Sequence, residues 1–532
     1  MKTNIEYWDI EKAEFWELEG KKIAYRNLWI SIPALLFSFA IWMMWSIITT
    51  KMKEFGFYFG MITDSMSDEL VKEQLGVINN LYYTLPAIAG LAGATLRIPN
   101  SFLIALGGGR NVIFITTALL LVPAIGVGFA LSDHNTPYLT FAALALLSGI
   151  GGGNFASSMS NISYFFPKRL KGTSLGLNAG IGNLGVGVMQ KVIPWVTGIF
   201  LFSAIDRSGN SVSGVDITGL QNSGWIWVPF LIVSVAAAFY GMSNLKIATP
   251  NKPTTLQGIA KTLFMVAIGV VSAAIGSYLL VGAHMNMWLV LPIVIIITLL
   301  LMKFLSPKDI KQSLDKQFAI LSSKHNWIMT IIYTMTFGSF IGFSAAFPKL
   351  CQDIFVYTDS ANPQYINPNA PDFLTWVFIG PMLGALVRPV GGWLSDKMDS
   401  GSRVTTFSTI AQVLATLAVA YFIIQAKDSS TPEVFWWPFF SCFMILFITT
   451  GIGNGSTFRS IPYIFSSEQA GPVLGWTSAI AAYGAFIIPK VFGEQIQLGT
   501  PEFALFGFTI YYVLCLILNW WYYDRKNSGI KC

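Results

Sequence analysis

The stretch LAGATLRIP (91–99) returns in altered form as MLGALVRPV (382–390), and this alignment places Arg97 opposite Arg388. Two further pairs follow in the same order: GIGGGNF (149–155) with GIGNGST (451–457), and SLGLNAGIGNLGVGVMQK (174–191) with VLGWTSAIAAYGAFIIPK (473–490). Because the pairs keep their order along the chain, the sequence indicates an internal duplication.

The composition is typical of a chain whose main solvent is lipid. Apolar residues make up 54% of the 532 residues and charged residues only 11%, whereas a soluble protein carries about 25% charged residues. Apolar runs of about 20 residues recur, which is long enough to cross a hydrocarbon core as a helix. The runs do not alternate with polar residues as the strands of a membrane barrel do. The sequence therefore predicts an all-α membrane protein.

The apolar runs predict two sets of six spans and an inserted hairpin. The first set lies at about 27–48, 76–106, 111–132, 138–166, 172–202 and 224–244. The second set lies at about 327–348, 372–395, 404–425, 434–466, 471–498 and 502–523. A hairpin of two spans, 262–283 and 285–302, raises the predicted total to about fourteen. Two parallel six-helix repeats with pseudo-two-fold symmetry about the membrane normal predict the major facilitator fold, whose substrate site lies between the halves.

The predicted organisation has five parts. They are a cytoplasmic tail (1–26), a six-helix bundle (27–246), a linker with the extra hairpin 262–302 and a basic cytoplasmic segment (247–326), a second bundle (327–523) and a cytoplasmic tail (524–532). Loops on the side of both termini hold more Lys and Arg, which places both termini in the cytoplasm. The polar N-terminal segment predicts a retained first span rather than a cleaved signal peptide. We expect a multi-pass protein of the cell (inner) membrane that acts as a monomer.

Each copy of the repeat carries one isolated arginine inside a span. Arg97 is the only charge between Glu73 and Arg110, and Arg388 is the only charge between Asp372 and Asp396. An arginine at the centre of a span costs about 2.5–3.5 kcal/mol on insertion scales, so it faces a partner or an aqueous cavity.

The partner of these arginines is predicted to be the cargo. Every Asp and Glu falls in a predicted loop or at a span boundary, so no internal counter-ion is expected. The planar guanidinium group makes paired hydrogen bonds to oxyanions. Two such groups predict a small, flat anion as substrate. The alternative is that each arginine reaches the headgroups or caps a helix end.

Other polar residues inside the spans allow two interpretations. Glycines such as Gly180, Gly182 and Gly185 have the small-residue spacing that permits close helix packing, and buried asparagines such as Asn183 often serve helix–helix hydrogen bonds. Lys191 and Lys490 either reach the headgroups or attract anions to the outer mouth. Arg459 has no counterpart in the first half, and a structural, gating or binding role is possible.

Several classes of protein are excluded. Cys351, Cys442, Cys515 and Cys532 are scattered without metal-ligand spacing. No nucleophile–base pair or cofactor motif indicates an enzyme, and we expect neither a cofactor nor a metal. Dispersed basic residues give no nucleic-acid-binding module.

Long motifs in both halves resemble the nitrate/nitrite porter family of the major facilitator superfamily, in its bacterial NarK-type branch. They include the stretches FWELEGKKIAYRNLWIS (15–31), GATLRIPNSF (93–102), NFASSMSNISYFFPK (154–168), GLNAGIGNLGVGVMQ (176–190), YTMTFGSFIGFSAAF (333–347), GALVRPVGGWLSD (384–396) and GSTFRSIPYIF (455–465). AGIGNLG (179–185) looks like the nitrate signature of that family. The second signature, SAIAAYG (478–484), departs from the family pattern at Ala481 and Tyr483.

The resemblance implies which residues handle the cargo. Nitrate and nitrite would be held between Arg97 and Arg388 and walled by Phe155, Tyr333 and Phe337, with Asn178 as the signature asparagine. Signature or gating roles fall to Gly180, Gly182, Asn183, Gly185, Ser456 and Arg459.

The predicted mechanism is nitrate/nitrite antiport by rocker-switch alternating access. Proton coupling usually needs a titratable group in the pathway, and none is expected inside the spans, while two facing arginines would repel until an anion binds. The alternatives are proton-coupled symport of nitrate or nitrite, transport of another small anion, an anion channel, and a sensor that binds nitrate without moving it.

Overall fold

The computed structural model describes residues 4–62, 66–197, 219–249, 253–308, 311, 319–357, 366–465, 467–528, 530 and 532. Most of the predicted basic segment of the linker (309, 310 and 312–318) and the predicted end of the fifth span (198–202) lie outside the described residues.

Long helices dominate the described chain. The first six are α1 (Ala13–Glu54), α2 (Asp68–Asn100), α3 (Gly109–Ala130), α4 (Tyr138–Ser163), α5 (Lys168–Thr197) and α6 (Asn222–Gly241). The hairpin consists of α7 (Thr255–Val281) and α8 (Met287–Leu305). The second half contains α9 (Lys324–Val356), α10 (Phe373–Lys397), α11 (Gly401–Lys427), α12 (Trp436–Ile464), α13 (Ser467–Ala481), α14 (Gly484–Gln497) and α15 (Pro501–Asp524).

Within the described part of the chain, eleven helices are long and apolar enough to cross a membrane. Three further crossings bring the total to the fourteen predicted. They are the α2 helix, the α5 helix and the consecutive pair α13–α14. The α2 and α5 helices are less apolar because they carry Arg97 and the glycine-rich first signature, and the third crossing is divided between two short helices. Their polar residues need an environment other than lipid, and the interior of the fold provides it.

The first helix is longer than its predicted span at both ends. It begins at Ala13, well before residue 27, and continues to Glu54, beyond residue 48. Ahead of it, β1 (Asn4–Ile5) pairs in parallel with β2 (Asn244–Leu245), and the Trp8 indole donates to the Tyr164 carbonyl oxygen at 2.9 Å. The described part of the segment predicted as a tail, residues 4–26, is therefore folded against the first bundle.

Four helix pairs form most of the contact between the two halves. The α2 helix packs against α13 and α14, α5 packs against α10, and α1 packs against α9. The hairpin belongs to the first half, because α7 packs against α2, and Gly269 of α7 lies against Leu96 and Pro99. The hairpin thus packs against the helix that carries Arg97.

The signature glycines of α5 differ in the space around them, which gives the first testable prediction. A methyl group at Gly185 would overlap the Leu36 carbonyl oxygen of α1, whereas no atom lies within 4 Å of a methyl group at Gly180. Overpacking of this kind costs about 1–3 kcal/mol or more. We expect Gly185→Ala to lower the melting temperature of the detergent-solubilised protein and Gly180→Ala to leave it unchanged. Equal melting temperatures for the two variants would contradict the close packing of α1 and α5.

Candidate anion-binding site between the halves

Arg97 lies fully enclosed where the two halves meet. Its side chain is 0% exposed. Its Nε donates to the Gly152 carbonyl oxygen of α4 at 2.9 Å, and its Nη1 donates to the Ser478 carbonyl oxygen of α13 at 3.1 Å. Its Nη2 is buried without an acceptor among the described residues. Arg97 therefore contacts both halves and keeps one donor for a ligand.

Aromatic rings surround the Arg97 guanidinium group. Its Cζ lies 4.7 Å from the centre of the Phe155 ring, 4.9 Å from that of Phe337 and 5.3 Å from that of Trp42. Ring faces attract a cation at these distances. They hold the guanidinium group in place without neutralising its charge.

Arg388 approaches the same rings from the second half. It follows a break in α10 at Val387 and is only 6% exposed. Its Cζ lies 4.4 Å from the centre of the Phe340 ring and 5.5 Å from that of Phe337. Its Nε, Nη1 and Nη2 are buried without an acceptor in the described part of the chain. The Phe337 ring is thus next to both arginines.

A local change of helical winding places the aromatic residues of α9. Residues Thr334–Gly338 form a π-helical turn, a feature frequent at functional sites. The Tyr333 and Phe337 rings stack at 5.8 Å, and the Phe337 ring stacks on the Phe155 ring of α4 at 6.0 Å. The structure therefore brings together Arg97, Arg388, Phe155, Tyr333 and Phe337.

The cluster has no internal acid. Among the described residues, no carboxylate lies within ion-pair distance of Arg97 or Arg388. Buried polar groups are almost always hydrogen-bonded, and an arginine is the strongest cationic donor that a protein has for an oxyanion. The arrangement is chemically suited to a small anion that bonds to the remaining guanidinium donors.

Asn178 takes part in a different set of contacts. Its Nδ2 donates to Ser158 Oγ at 2.9 Å, and Ser158 Oγ lies 2.8 Å from Ser31 Oγ. This chain of hydrogen bonds links α5, α4 and α1, so the contacts of Asn178 are those of a residue that joins helices. Its Oδ1 is buried without a hydrogen-bond donor within the described chain.

The remaining signature residues also pack within one half. Asn183 donates to the Ala179 carbonyl oxygen at 2.6 Å, and Gly182 packs against Leu35. Ser456 donates to the Gly453 carbonyl oxygen at 3.0 Å and lies 2.7 Å from Thr405 Oγ1.

Arg459 is engaged away from the paired arginines. Its Nε lies 3.3 Å from Asp396 Oδ1, its Nη2 lies 3.1 Å from Asp399 Oδ1, and its guanidinium group stacks on the Tyr463 ring at 4.1 Å. Both carboxylates belong to the segment where α10 ends. These ion pairs favour the structural or gating role over that of a third charge for the anion.

The two lysines at the ends of their signatures differ in exposure, because the Lys490 side chain is only 12% exposed. Lys191 is exposed, with its Nζ 5.0 Å from the centre of the Phe378 ring. Lys490 Nζ lies 3.6 Å from Glu494 Oε1.

One buried acid was missed by the sequence analysis. The prediction that every Asp and Glu lies in a loop or at a span boundary is wrong for Asp353, because α9 continues to Val356 and not to about 348. The Asp353 side chain is 0% exposed. The signal was present in the sequence KLCQD (349–353), where Lys349 and Asp353 are four residues apart on one helical face.

Asp353 joins the two halves through what we call the Asp353 network, formed by Lys53, Asn79, Tyr83, Lys349 and Asp353. Lys53 of α1 donates to Asp353 Oδ1 at 2.8 Å, and Tyr83 of α2 donates to Oδ2 at 2.7 Å. Lys349 Nζ lies 2.6 Å from Oδ2 and 2.9 Å from Asn79 Oδ1. Lys53, which lies beyond the predicted first span (27–48), is thus a buried residue of a helix.

Comparisons with known proteins agree with this architecture. The sequence model of the Major Facilitator Superfamily matches residues 245–489. The nitrate/nitrite transporter NarU of Escherichia coli K12 is 33% identical, with 98% of this chain and 97% of NarU covered. The probable nitrate/nitrite antiporter NarK2 of Thermus thermophilus is 34% identical, with 100% and 98% covered.

Solved structures support the fold alone. The proton:xylose symporter XylE of E. coli superposes with a TM-score of 0.60 at 12% identity, with 94% of this chain and 96% of that chain covered. The predicted major facilitator fold is therefore confirmed. With relatives of this similarity over the whole chain, the chain belongs to the nitrate/nitrite porter family of the major facilitator superfamily.

Proposed function

We propose that this protein exchanges nitrate for nitrite across a bacterial cytoplasmic membrane, with one anion bound at a time between Arg97 and Arg388. The observation that carries the proposal is the enclosure of two arginines around Phe337, with no acid among the described residues to neutralise them. The relatives named above as nitrate/nitrite transporters and antiporters support the choice of anion.

The geometry favours a small planar anion. Arg97 Nη2 and the three nitrogens of Arg388 supply in-plane donors, while the Phe155 and Phe337 rings bound the space by their faces. Nitrate and nitrite are flat and carry one negative charge. A tetrahedral or bulky anion would match neither the guanidinium planes nor the stacked rings.

Exchange follows from the cost of the two unneutralised charges. When the site holds no anion, two buried guanidinium groups face each other across Phe337 without a counter-ion, and reorienting the halves around them is unfavourable. A bound monovalent anion offsets this repulsion. The halves then reorient with either anion bound and reorient poorly without one.

We place both termini in the cytoplasm, so that the Asp353 network lies at the outer end of the halves and Arg459 at the inner end. We infer that the protein acts as a monomer, since each chain supplies both arginines, and that it catalyses no covalent reaction.

Proton-coupled symport is the second candidate, and the Asp353 network is the observation that favours it. The absence of an acid from the spans supported exchange, and Asp353 removes part of that support. A carboxylate that links the halves could carry a proton if it were released from Lys53 and Lys349 during the cycle.

The decisive measurement compares vesicles that differ only in their contents. Purified protein is reconstituted into vesicles loaded with nitrite or with impermeant buffer, and external nitrate is added. For exchange, nitrite-loaded vesicles take up nitrate about tenfold faster or more, because an unneutralised buried charge costs more than the 1.4 kcal/mol that this factor represents. Rapid uptake into buffer-filled vesicles under an inward proton gradient would instead establish symport. Competition by acetate or formate tests for a wider range of anions.

A further inference from the structure

The crossing that carries the second signature is interrupted beside Arg97. The α13 helix ends at Ala481 and α14 begins at Gly484, with Ala482 and Tyr483 between them. Tyr483, where the second signature departs from the family pattern, is only 1% exposed. Its hydroxyl oxygen lies 3.0 Å from Thr95 Oγ1 of α2, two residues before Arg97.

The direction of this hydrogen bond follows from the hydroxyl protons available. The Thr95 hydroxyl donates its one proton to the Leu91 carbonyl oxygen at 2.7 Å. Its oxygen can then only accept, so the Tyr483 hydroxyl is the donor. Tyr483 of the second half is therefore bound to the helix of the first half that carries Arg97.

A second contact between the halves lies close by. The Ser478 carbonyl oxygen accepts Arg97 Nη1 at 3.1 Å and also the Ala482 backbone N–H at 3.2 Å. Arg97 is thus held by one backbone carbonyl from each half, Gly152 from the first and Ser478 from the second. Both are neutral acceptors.

We propose that Tyr483 is a positioning residue that holds the Ser478 carbonyl against Arg97, and that the transported anion releases the halves by displacing this carbonyl. We call the two contacts, Tyr483–Thr95 and Ser478–Arg97, the interhalf clasp. The proposal rests on the proposed function, because it assigns the displacing ligand to the same anion.

The anion and the Ser478 carbonyl oxygen compete for Arg97, and this competition determines that anion binding favours separation of the two contacts. A charge-assisted hydrogen bond is about twice as strong as a bond to a neutral acceptor, so an anion on the Arg97 guanidinium group weakens the hold of the Ser478 carbonyl. A ligand shifts a conformational equilibrium only through a difference in affinity for the two states. Here the difference is that the Ser478 carbonyl oxygen occupies Arg97 Nη1 in the clasped state, and an anion that binds both Nη1 and Nη2 requires this donor.

The clasp also explains why a carrier without an anion would not reorient. Two contacts between the halves remain intact when no anion competes for Arg97. Loss of the Tyr483 hydroxyl group removes one contact and loosens the other, so that the halves can reorient without an anion. The result is slippage, which is net uptake without exchange.

The test is the ratio of nitrate uptake into buffer-filled vesicles to uptake into nitrite-loaded vesicles. We expect Tyr483→Phe and Thr95→Val each to raise this ratio about 3- to 10-fold, the effect of losing one buried hydrogen bond. The double variant should show no more than the larger single effect, because both changes remove the same contact.

Tyr512→Phe is the matched control. Tyr512 is also 1% exposed, and its hydroxyl group donates to Ser339 Oγ at 2.8 Å, but both residues belong to the second half. This variant should keep the wild-type ratio. A wild-type ratio for Tyr483→Phe, or an equal rise for Tyr512→Phe, overturns the clasp. Failure of the proposed function is separate and shows in the wild-type protein, as a ratio near one.

Discussion

Arg97→Lys and Arg388→Lys each lose nitrate transport although both variants keep a positive charge. Lysine presents a point charge on a flexible chain, whereas the arginine fork supplies several donors in one plane. In Arg97→Lys, one ammonium group would have to replace donors to Gly152, to Ser478 and to the anion. Each charge-assisted hydrogen bond contributes about 1.5–3 kcal/mol, so we expect transport to fall by about one to two orders of magnitude.

The measurement is counterflow of isotopically labelled nitrate into vesicles preloaded with unlabelled nitrate. Arg403→Lys is the matched control, because Arg403 is an exposed arginine of α11 whose nearest acid, Asp524, lies at 3.8 Å. This control should retain wild-type transport. Full activity in Arg97→Lys would refute binding of the anion by a pair of planar guanidinium groups.

Asp353→Asn has the second large expected effect, on the equilibrium between conformations. Asp353 is the only carboxylate that Lys349 contacts in the described part of the chain, and Lys349 is 1% exposed. Removing one partner of a buried ion pair costs about 3–5 kcal/mol, because the other charge stays buried. Separation of the halves at this end exposes Lys349 to water and relieves the cost. We therefore expect Asp353→Asn to favour the outward-open state.

Cys351 is a native probe for this opening. Its thiol group is 0% exposed and lies two residues before Asp353. The parent protein for this test has Cys442, Cys515 and Cys532 replaced by serine, so that Cys351 is its one cysteine. A membrane-impermeant thiol reagent added outside should label Cys351 many times faster when Asp353→Asn is introduced into this parent. Asp372→Asn, which changes an exposed acid, should label as the parent does. Equal, slow labelling of Cys351 in all three proteins would show that the Asp353 network does not hold the outer end closed.

Much of the fold could be predicted from the sequence because the lipid environment restricts which backbone structures are stable. Long apolar runs must become helices in lipid, where backbone groups have no water to bind, and the three repeated stretches identify two equivalent halves. The same repeat paired Arg97 with Arg388 before any contact was known. The family motifs then indicated Phe155, Tyr333 and Phe337, which the structure places around the two arginines.

Charges that are neutralised by residues far away in the chain could not be placed from the sequence. A span predicted from hydropathy ends where the first charged residues appear. The predicted spans therefore ended before Lys349 in α9 and before Lys53 in α1. In the folded chain Lys53 meets Asp353, three hundred positions away, and both are buried. Arg459 likewise could not be assigned until Asp396 and Asp399 were found beside it.

Composition, spacing and repetition are local properties of the chain, and from them came the predictions of about fourteen crossings, of the duplication and of the two arginines without a nearby acid. The folded structure was needed to find that Phe337 lies beside both arginines, that Asn178 binds Ser158, and that Tyr483 reaches Thr95. These contacts depend on how helices far apart in the chain approach one another. That approach is set by the packing of whole helix faces, which no single stretch of sequence contains.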